Sequence, residues 1–224
     1  MDKIAIISGV YGDLNSLLCV LSDMEHKGVN RIYSLGNSIK AGEMNSECLY
    51  FISSRCSVAL MGDKEEGLGI LEKSDDYNIS DLNFISKLPF SHEFYMSGRL
   101  IRLFNDNPYN SFIKDDYKTK KEEKFKPSIR TGTSFADIVI CSDNNGVVEE
   151  TIDSKVLIGV PNVSDKGMYA NYLIIEGDLD SYNFAPISFQ HVKIPVPSKV
   201  LTRASFEETS RSFRKLYENR KESN

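Results

Sequence analysis

Apolar and polar positions fall into regular blocks over the first sixty residues. IAIIS (4–8) is a short β-rich run without polar interruption, the pattern of a strand buried on both faces. Asp13 follows as an N-cap, and Leu14, Leu17, Leu18, Leu21 and Met24 recur at helical spacing until Gly28 closes the helix. RIYSLG (31–36) predicts a second strand, residues 43–54 a second helix, and SVALMG (57–62) a third strand. Short joints between them predict a parallel βαβαβ unit over about 1–62 with right-handed crossovers. Ligands of such sheets bind beyond the carboxyl ends of the strands, which directs attention to the loops opening at Gly9, Gly36 and Gly62.

Beyond residue 62 the pattern changes. A helix is predicted near 80–87, capped by Ser80 and stopped at Pro89, and SHEFYMSGRLIRLFND reads as a hairpin turning at Ser97-Gly98. Residues 114–126 form a mixed charge run, read as a solvated loop or exposed helix, with a docking patch as the alternative. Strands are then predicted at ADIVICSD (136–143), around 147–151, at KVLIGV (155–160), ANYLIIEG (170–177) and SYNFAPISFQ (181–190), making the second half largely antiparallel. A last helix over 205–221 carries Phe206, Phe213, Leu216 and Tyr217 on one stripe, suited to packing on the body. No repeat or linker divides the chain, so 1–224 reads as one domain with two sheets.

Composition narrows the function classes. Twenty-seven basic against thirty-two acidic residues give a net charge of −5, which does not point to nucleic acid or an anionic membrane. The apolar stretches are strand-sized, short of the ~20 residues of a membrane span, and MDKIAIIS is too short for a signal peptide. The expected compartment is therefore the cytoplasm. Cys19, Cys48 and Cys56 fit buried, reduced thiols in apolar patterns. Cys141 ends a strand with room for exposure, but no histidine is near it in sequence and no catalytic role is expected. The only histidines are His26, His92 and His191.

The strand-end loops SGVYGDLNSL, LGNSIKAG, MGDKEEGL, LFNDNP and ICSDNNG resemble, in order and spacing, those of the calcineurin-like metallophosphoesterases. The likeness is specifically to the compact bacterial and archaeal phosphodiesterase type, and it runs from Ile4 to about Glu176. The resemblance implies a four-layered α/β/β/α sandwich of two mixed β-sheets flanked by helices. It also implies two divalent metals such as Mn, Fe or Zn over the loops, clamping phosphate and lowering the pKa of a bridging water.

The ligand residues of that family are not matched here. Gly9 and Tyr11 stand where the first motif has aspartate and histidine, and Asn37 where the bridging aspartate belongs. Asp63 and Lys64 replace the asparagine and histidine of the third motif, followed by Glu65. Asn105 replaces the hairpin-segment histidine, and Ser142 and Asn144 the last two histidines. Lys64 places a cation where two dications would sit, and at ~4 Å even a water-like dielectric costs about 1 kcal/mol per unit charge. No intact catalytic set and no metal cofactor are expected, with Asp63 as the one weak metal candidate. Tyr11 is expected to fill part of the vacated cavity, and Lys64 to neutralise Asp63 or Glu65.

Three readings follow. The first is a catalytically degenerate homologue serving as a non-enzymatic binding or regulatory scaffold, as the scaffold subunit of the retromer coat does in this family. The second is a phosphoesterase with an altered centre, Asp63, Glu65, Asp106 and Asp143 holding one Mg²⁺. The third is a metal-free phosphate or nucleotide sensor, with Lys64, Asn37, Asn105 and Asn144 and backbone amides as the anion cradle. The partner expected is accordingly a protein or a small phosphate-containing ligand.

Overall fold

The computed structural model describes residues 1–41, 43–71, 77–105, 136–143, 148–152, 155–165 and 168–197. The charge run at 114–126, the helix expected over 205–221, Asp106 and Asn144 lie outside them. The chain opens with β1 (Asp2–Ile7), α1 (Leu14–His26), β2 (Arg31–Ser34), α2 (Asn45–Arg55) and β3 (Val58–Ala59). β1 pairs parallel with β2, and β2 with β3, as the spacing predicted. Asp13 starts α1 by accepting from the Ser16 amide at 3.0 Å. Gly28 ends the turn beyond it at φ +69°, a left-handed conformation that favours glycine.

Two helices follow, α3 (Asp63–Leu71) and α4 (Ile79–Ile85). The sequence pattern did not announce α3, whose two glycines weaken the helical signal. The cap of α4 is Asn78, not Ser80. Its side chain accepts from the Asp81 amide at 3.0 Å, and Asp81 accepts from the Asn78 amide at 3.1 Å, a reciprocal capping box.

β4 (Ser91–Met96) and β5 (Arg99–Phe104) form the expected hairpin, with Ser97 at φ 49° and Gly98 at φ 76° supplying its tight turn. β6 (Ile138–Ser142), β7 (Val148–Ile152), β8 (Lys155–Val160), β9 (Ser164–Asp165), β10 (Tyr169–Gly177) and β11 (Ser188–Pro195) complete the strands. The first sheet runs β11-β10-β1-β2-β3, with β9 beside β10, and the second runs β4-β5-β6-β8-β7. Both are mixed. β5, β6 and β8 are parallel in the heart of the second sheet, so the antiparallel expectation holds only for its edges and for β10 and β11.

The strand expected over 181–190 begins only at Ser188. The segment before it hydrogen-bonds to the β4–β5 turn instead of to a ladder. Gly98 donates to the Ser181 carbonyl at 2.9 Å, the Ser97 hydroxyl to the Pro186 carbonyl at 3.1 Å, and the Arg99 guanidinium to the Ala185 carbonyl at 2.9 Å.

Alternation along β1 assigns its two faces. Ile4 and Ile6 enter the core between the sheets, with Leu35, Leu60, Ile101, Leu103, Ile140 and Ile158. Ala5 and Ile7 face α1 through Leu17 and Val20, and the buried Tyr172 ties that helix to β10 by donating to Asp23 at 2.6 Å. The uninterrupted apolar run 4–7 is thus the mark of a central strand covered on both sides. Cys141 is fully buried with Val139 and Leu157, contrary to the exposure its strand-end position suggested, while Cys19 and Cys56 are only half-buried. No helix among the described residues is long and apolar enough to cross a membrane.

Candidate functional site

The loops after β1, β2, β5 and β6 and the start of α3 meet at one edge of the sandwich. Backbone bonds lace the first two together: Gly9 donates to the Gly36 carbonyl at 3.0 Å, Tyr11 to Asn37 at 3.0 Å, and Gly12 to Ser38 at 2.8 Å. Achieving this takes a run of left-handed residues, with φ of 60° at Gly9, 51° at Tyr11, 95° at Gly36 and 56° at Asn37. For a side chain as large as tyrosine this conformation costs about 1–2 kcal/mol; asparagine tolerates it better because its short amide bonds locally.

Asn37 is the hub. Its buried carbonyl oxygen accepts the Lys64 amide at 3.2 Å and so caps α3 from a distant loop. Its side-chain nitrogen donates to Asn105 Oδ1 at 3.2 Å, and the Asn105 amide continues to the Leu35 carbonyl at 2.7 Å. Ser142 donates its backbone amide to the Asn105 carbonyl at 3.1 Å. Hydrogen bonds therefore connect Tyr11, Asn37, Lys64, Asn105 and Ser142, positions the sequence spacing selected, with Gly9 and Asp63 as their chain neighbours. Asn144 is outside the described residues.

Glu65 has the role the sequence reading missed. It is 1% exposed. Its carboxylate accepts from the backbone amides of Asn37 at 2.9 Å, Gly62 at 3.1 Å and Ser38. Burial pushes its pKa above the usual carboxylate value, and the amides offset part of that rise. The expected neutralisation by Lys64 is not found. Lys64 forms no ion pair among the described residues, and both it and Asp63 are exposed. The signal was present in G-D-K-E, since a glutamate three residues after the cap is the acidic half of a capping box.

Asn162, in the loop after β8, is the second missed residue. A Cβ added to Gly9 would lie 2.0 Å from Asn162 Oδ1 and 2.9 Å from Tyr11 Cε2. The room an aspartate would need there is already filled. Asn162 Oδ1 itself is buried and has no hydrogen-bond partner among the described residues, nor has the Ser8 hydroxyl just before Gly9.

Beside these loops lies a cavity of about 660 Å³ bounded by Tyr11, Asp13, Leu14, Lys40, Met44 and Lys64. Tyr11 borders this cavity, and its ring also takes part of the space that a side chain at Gly9 would need. Its phenol is shifted up by burial first and by the charges of Asp63 and Glu65 next.

The donors at this edge are a poor match for divalent metals. Gly9 offers nothing, the amides of Asn37 and Asn105 bond to each other, and the Glu65 carboxylate is enclosed by three amides. Asp143 is buried. Among the described residues no three His, Cys, Asp or Glu side chains are grouped so as to hold an ion. His26 ends α1 with its ring on the Ser22 carbonyl at 2.7 Å, His92 stacks on Phe94, and His191 sits in β11.

No family model matches the sequence. An uncharacterized protein of Methanocaldococcus jannaschii, MJ0912, is 25% identical over 122 residues, 48% of this chain and 50% of that one. The chain thus spans about half the length of the curated relative it matches. Among solved structures, the metallophosphoesterase from Sphaerobacter thermophilus superposes with a TM-score of 0.61 at 16% identity, over 85% of this chain and 88% of that one. A novel archaeal phosphodiesterase superposes with a TM-score of 0.53 at 11% identity, over 86% and 99%. The chain has the metallophosphoesterase fold. At these identities the likeness speaks for the fold alone.

Proposed function

We propose that this protein acts by binding and not by phosphoester hydrolysis, as a scaffold or regulatory member built on the metallophosphoesterase fold. The observation that carries the reading is the bonding of Asn37 and Asn105, neutral amides at two of the family's ligand positions, which spend their side chains on each other, on the Lys64 amide and on the Leu35 carbonyl. Two-metal hydrolysis needs anionic donors turned toward the ions, which then generate hydroxide near neutral pH. Here Asn162 fills the space beside Gly9, Asn37 caps a helix, and Lys64 adds positive charge at the same edge. A single Mg²⁺ held by Asp63, Glu65 and Asp143 has less support, because Glu65 and Asp143 are buried. The four free cysteines fit a reducing compartment, and we assign the protein to the cytoplasm.

The test is metal content by elemental analysis before and after soaking in Mn²⁺, with hydrolysis of bis-p-nitrophenyl phosphate assayed in the same samples. Substoichiometric metal without turnover is expected. Two bound equivalents with metal-dependent turnover would overturn the proposal.

A further inference from the structure

We infer that residues 205–221, the amphipathic helix expected from the sequence, dock against their own chain in the groove between α1 and the end of β11. The groove has a volume of about 520 Å³. Asn15 borders both it and the cavity at the strand-end loops, so whatever fills the groove lies next to the candidate site.

The shape of the groove calls for an elongated occupant. One wall is a stripe of α1, where Asn15, Leu18, Cys19, Ser22 and His26 recur at spacings of three and four residues. That stripe follows one side of the helix for three turns, ~16 Å. The other wall is 194–197, the end of β11 and the two residues after it. Leu18, Ile194 and Val196 pack on the core only in part, and Cys19 is half-buried beside them. An apolar trough of this kind gains by being covered.

Three observations select the occupant. First, the chain leaves from the groove's own wall: residues 198–204 join Pro197 to the expected helix and, at ~3.3 Å per residue, reach at most ~23 Å, enough to lay it along α1 in either direction. Second, the lengths agree. Phe206, Phe213, Leu216 and Tyr217 extend over eleven positions, as do Asn15 to His26 on α1. Third, the charges are complementary. From Asp13 to Lys27 there are three acidic residues against one lysine, a net of −2, whereas 205–221 holds five basic against three acidic residues, a net of +2. A 17-residue amphipathic helix is marginal alone in water and is stabilised by packing its apolar stripe, which the groove allows.

The experiment is disulfide trapping in the full chain under mild oxidation, with Phe213→Cys, Leu216→Cys and Tyr217→Cys made singly. A disulfide needs Cα atoms within about 7 Å, which the stripe meets when it lies on Cys19. At least one of the three variants is expected to form an intramolecular disulfide with Cys19, identified by peptide mass spectrometry, and Asn219→Cys, off the stripe, is expected to form none. In separate samples, alkylation of Cys19 by N-ethylmaleimide should run about tenfold faster in Phe213→Asp, as the burial of one large apolar side chain is lost. Asn219→Asp adds the same charge off the stripe and should keep the wild-type rate, and Cys56, outside the groove, should be unaffected in both. Failure of all three variants to link to Cys19 would overturn the inference, as would linkage to Cys141, which puts the stripe on the second sheet. A Cys19 disulfide formed only between two chains, or Cys19 alkylation indifferent to Phe213→Asp, would overturn it equally.

Discussion

Glu65 offers the sharpest test of how the strand-end loops are held. Glu65→Ala removes the acceptor for three backbone amides, those of Asn37, Ser38 and Gly62. Each buried amide left without a partner costs about 1–3 kcal/mol, and water entering the emptied space recovers part, so a loss of about 3–5 kcal/mol is expected. For a chain of this size that lowers Tm by roughly 10–15 °C. Glu65→Gln keeps the shape, but its one carbonyl oxygen can serve only the Asn37 and Gly62 amides and turns an NH₂ toward Ser38. About 1–3 kcal/mol should be lost. The chain has no tryptophan, so far-ultraviolet circular dichroism in urea is the suitable probe. The pH dependence has a definite sign. A carboxyl raised in the fold adds stability that is fully present below its unfolded pKa and lost as pH rises through the folded one. The wild type should therefore gain on Glu65→Gln as pH falls from the raised value toward the ordinary carboxylate range. A Glu65→Ala protein within ~1 kcal/mol of wild type, or parallel pH profiles for wild type and Glu65→Gln, would refute the reasoning.

Two further substitutions probe other features. Gly9→Ala should cost about 2 kcal/mol, from left-handed backbone strain and the clash with Asn162, and in an Asn162→Ala background only the ~1 kcal/mol of strain should remain; strictly additive urea midpoints would show that Asn162 does not occupy that space. His191→Leu should stabilise the protein by about 1 kcal/mol at pH 7, because both ring nitrogens are buried without partners among the described residues. Burial depresses the imidazole pKa while the charge of Glu149 works the other way, so wild type should lose stability relative to His191→Leu as pH falls below the usual histidine value; equal pH slopes would count against it.

What could be read from the chain follows the range of the interactions. The turn at Ser97-Gly98 and the helix start at Asp13 were legible because a few adjacent residues determine them. The late start of β11 was not, since its preceding segment bonds to a turn nearly ninety residues earlier. The site divides along the same line. Strand spacing brought Asn37, Lys64, Asn105 and Ser142 to one edge before any side chain was placed. Their roles depended on partners remote in sequence, Asn105 across 68 residues from Asn37 and Asn162 across the chain from Gly9. Glu65 was weighed as a free charge because a one-dimensional reading cannot see that three amides point at it.

The antiparallel pairing of β1 with β10, Asp2 opposite Gly177, has a kinetic meaning. The βαβαβ unit at the start of the chain carries an open edge along β1 that is filled only by residues 169–177. Until that strand arrives, the alternating backbone groups of a strand whose residues 4–7 are all apolar lie exposed, a template for pairing with other chains. Closing so long a loop is slow compared with local helix formation. Nascent chains should thus pass through an aggregation-prone interval between synthesis of the first three strands and of the tenth, and substitutions that weaken β10 should reduce folding yield more than they reduce the stability of molecules that have folded.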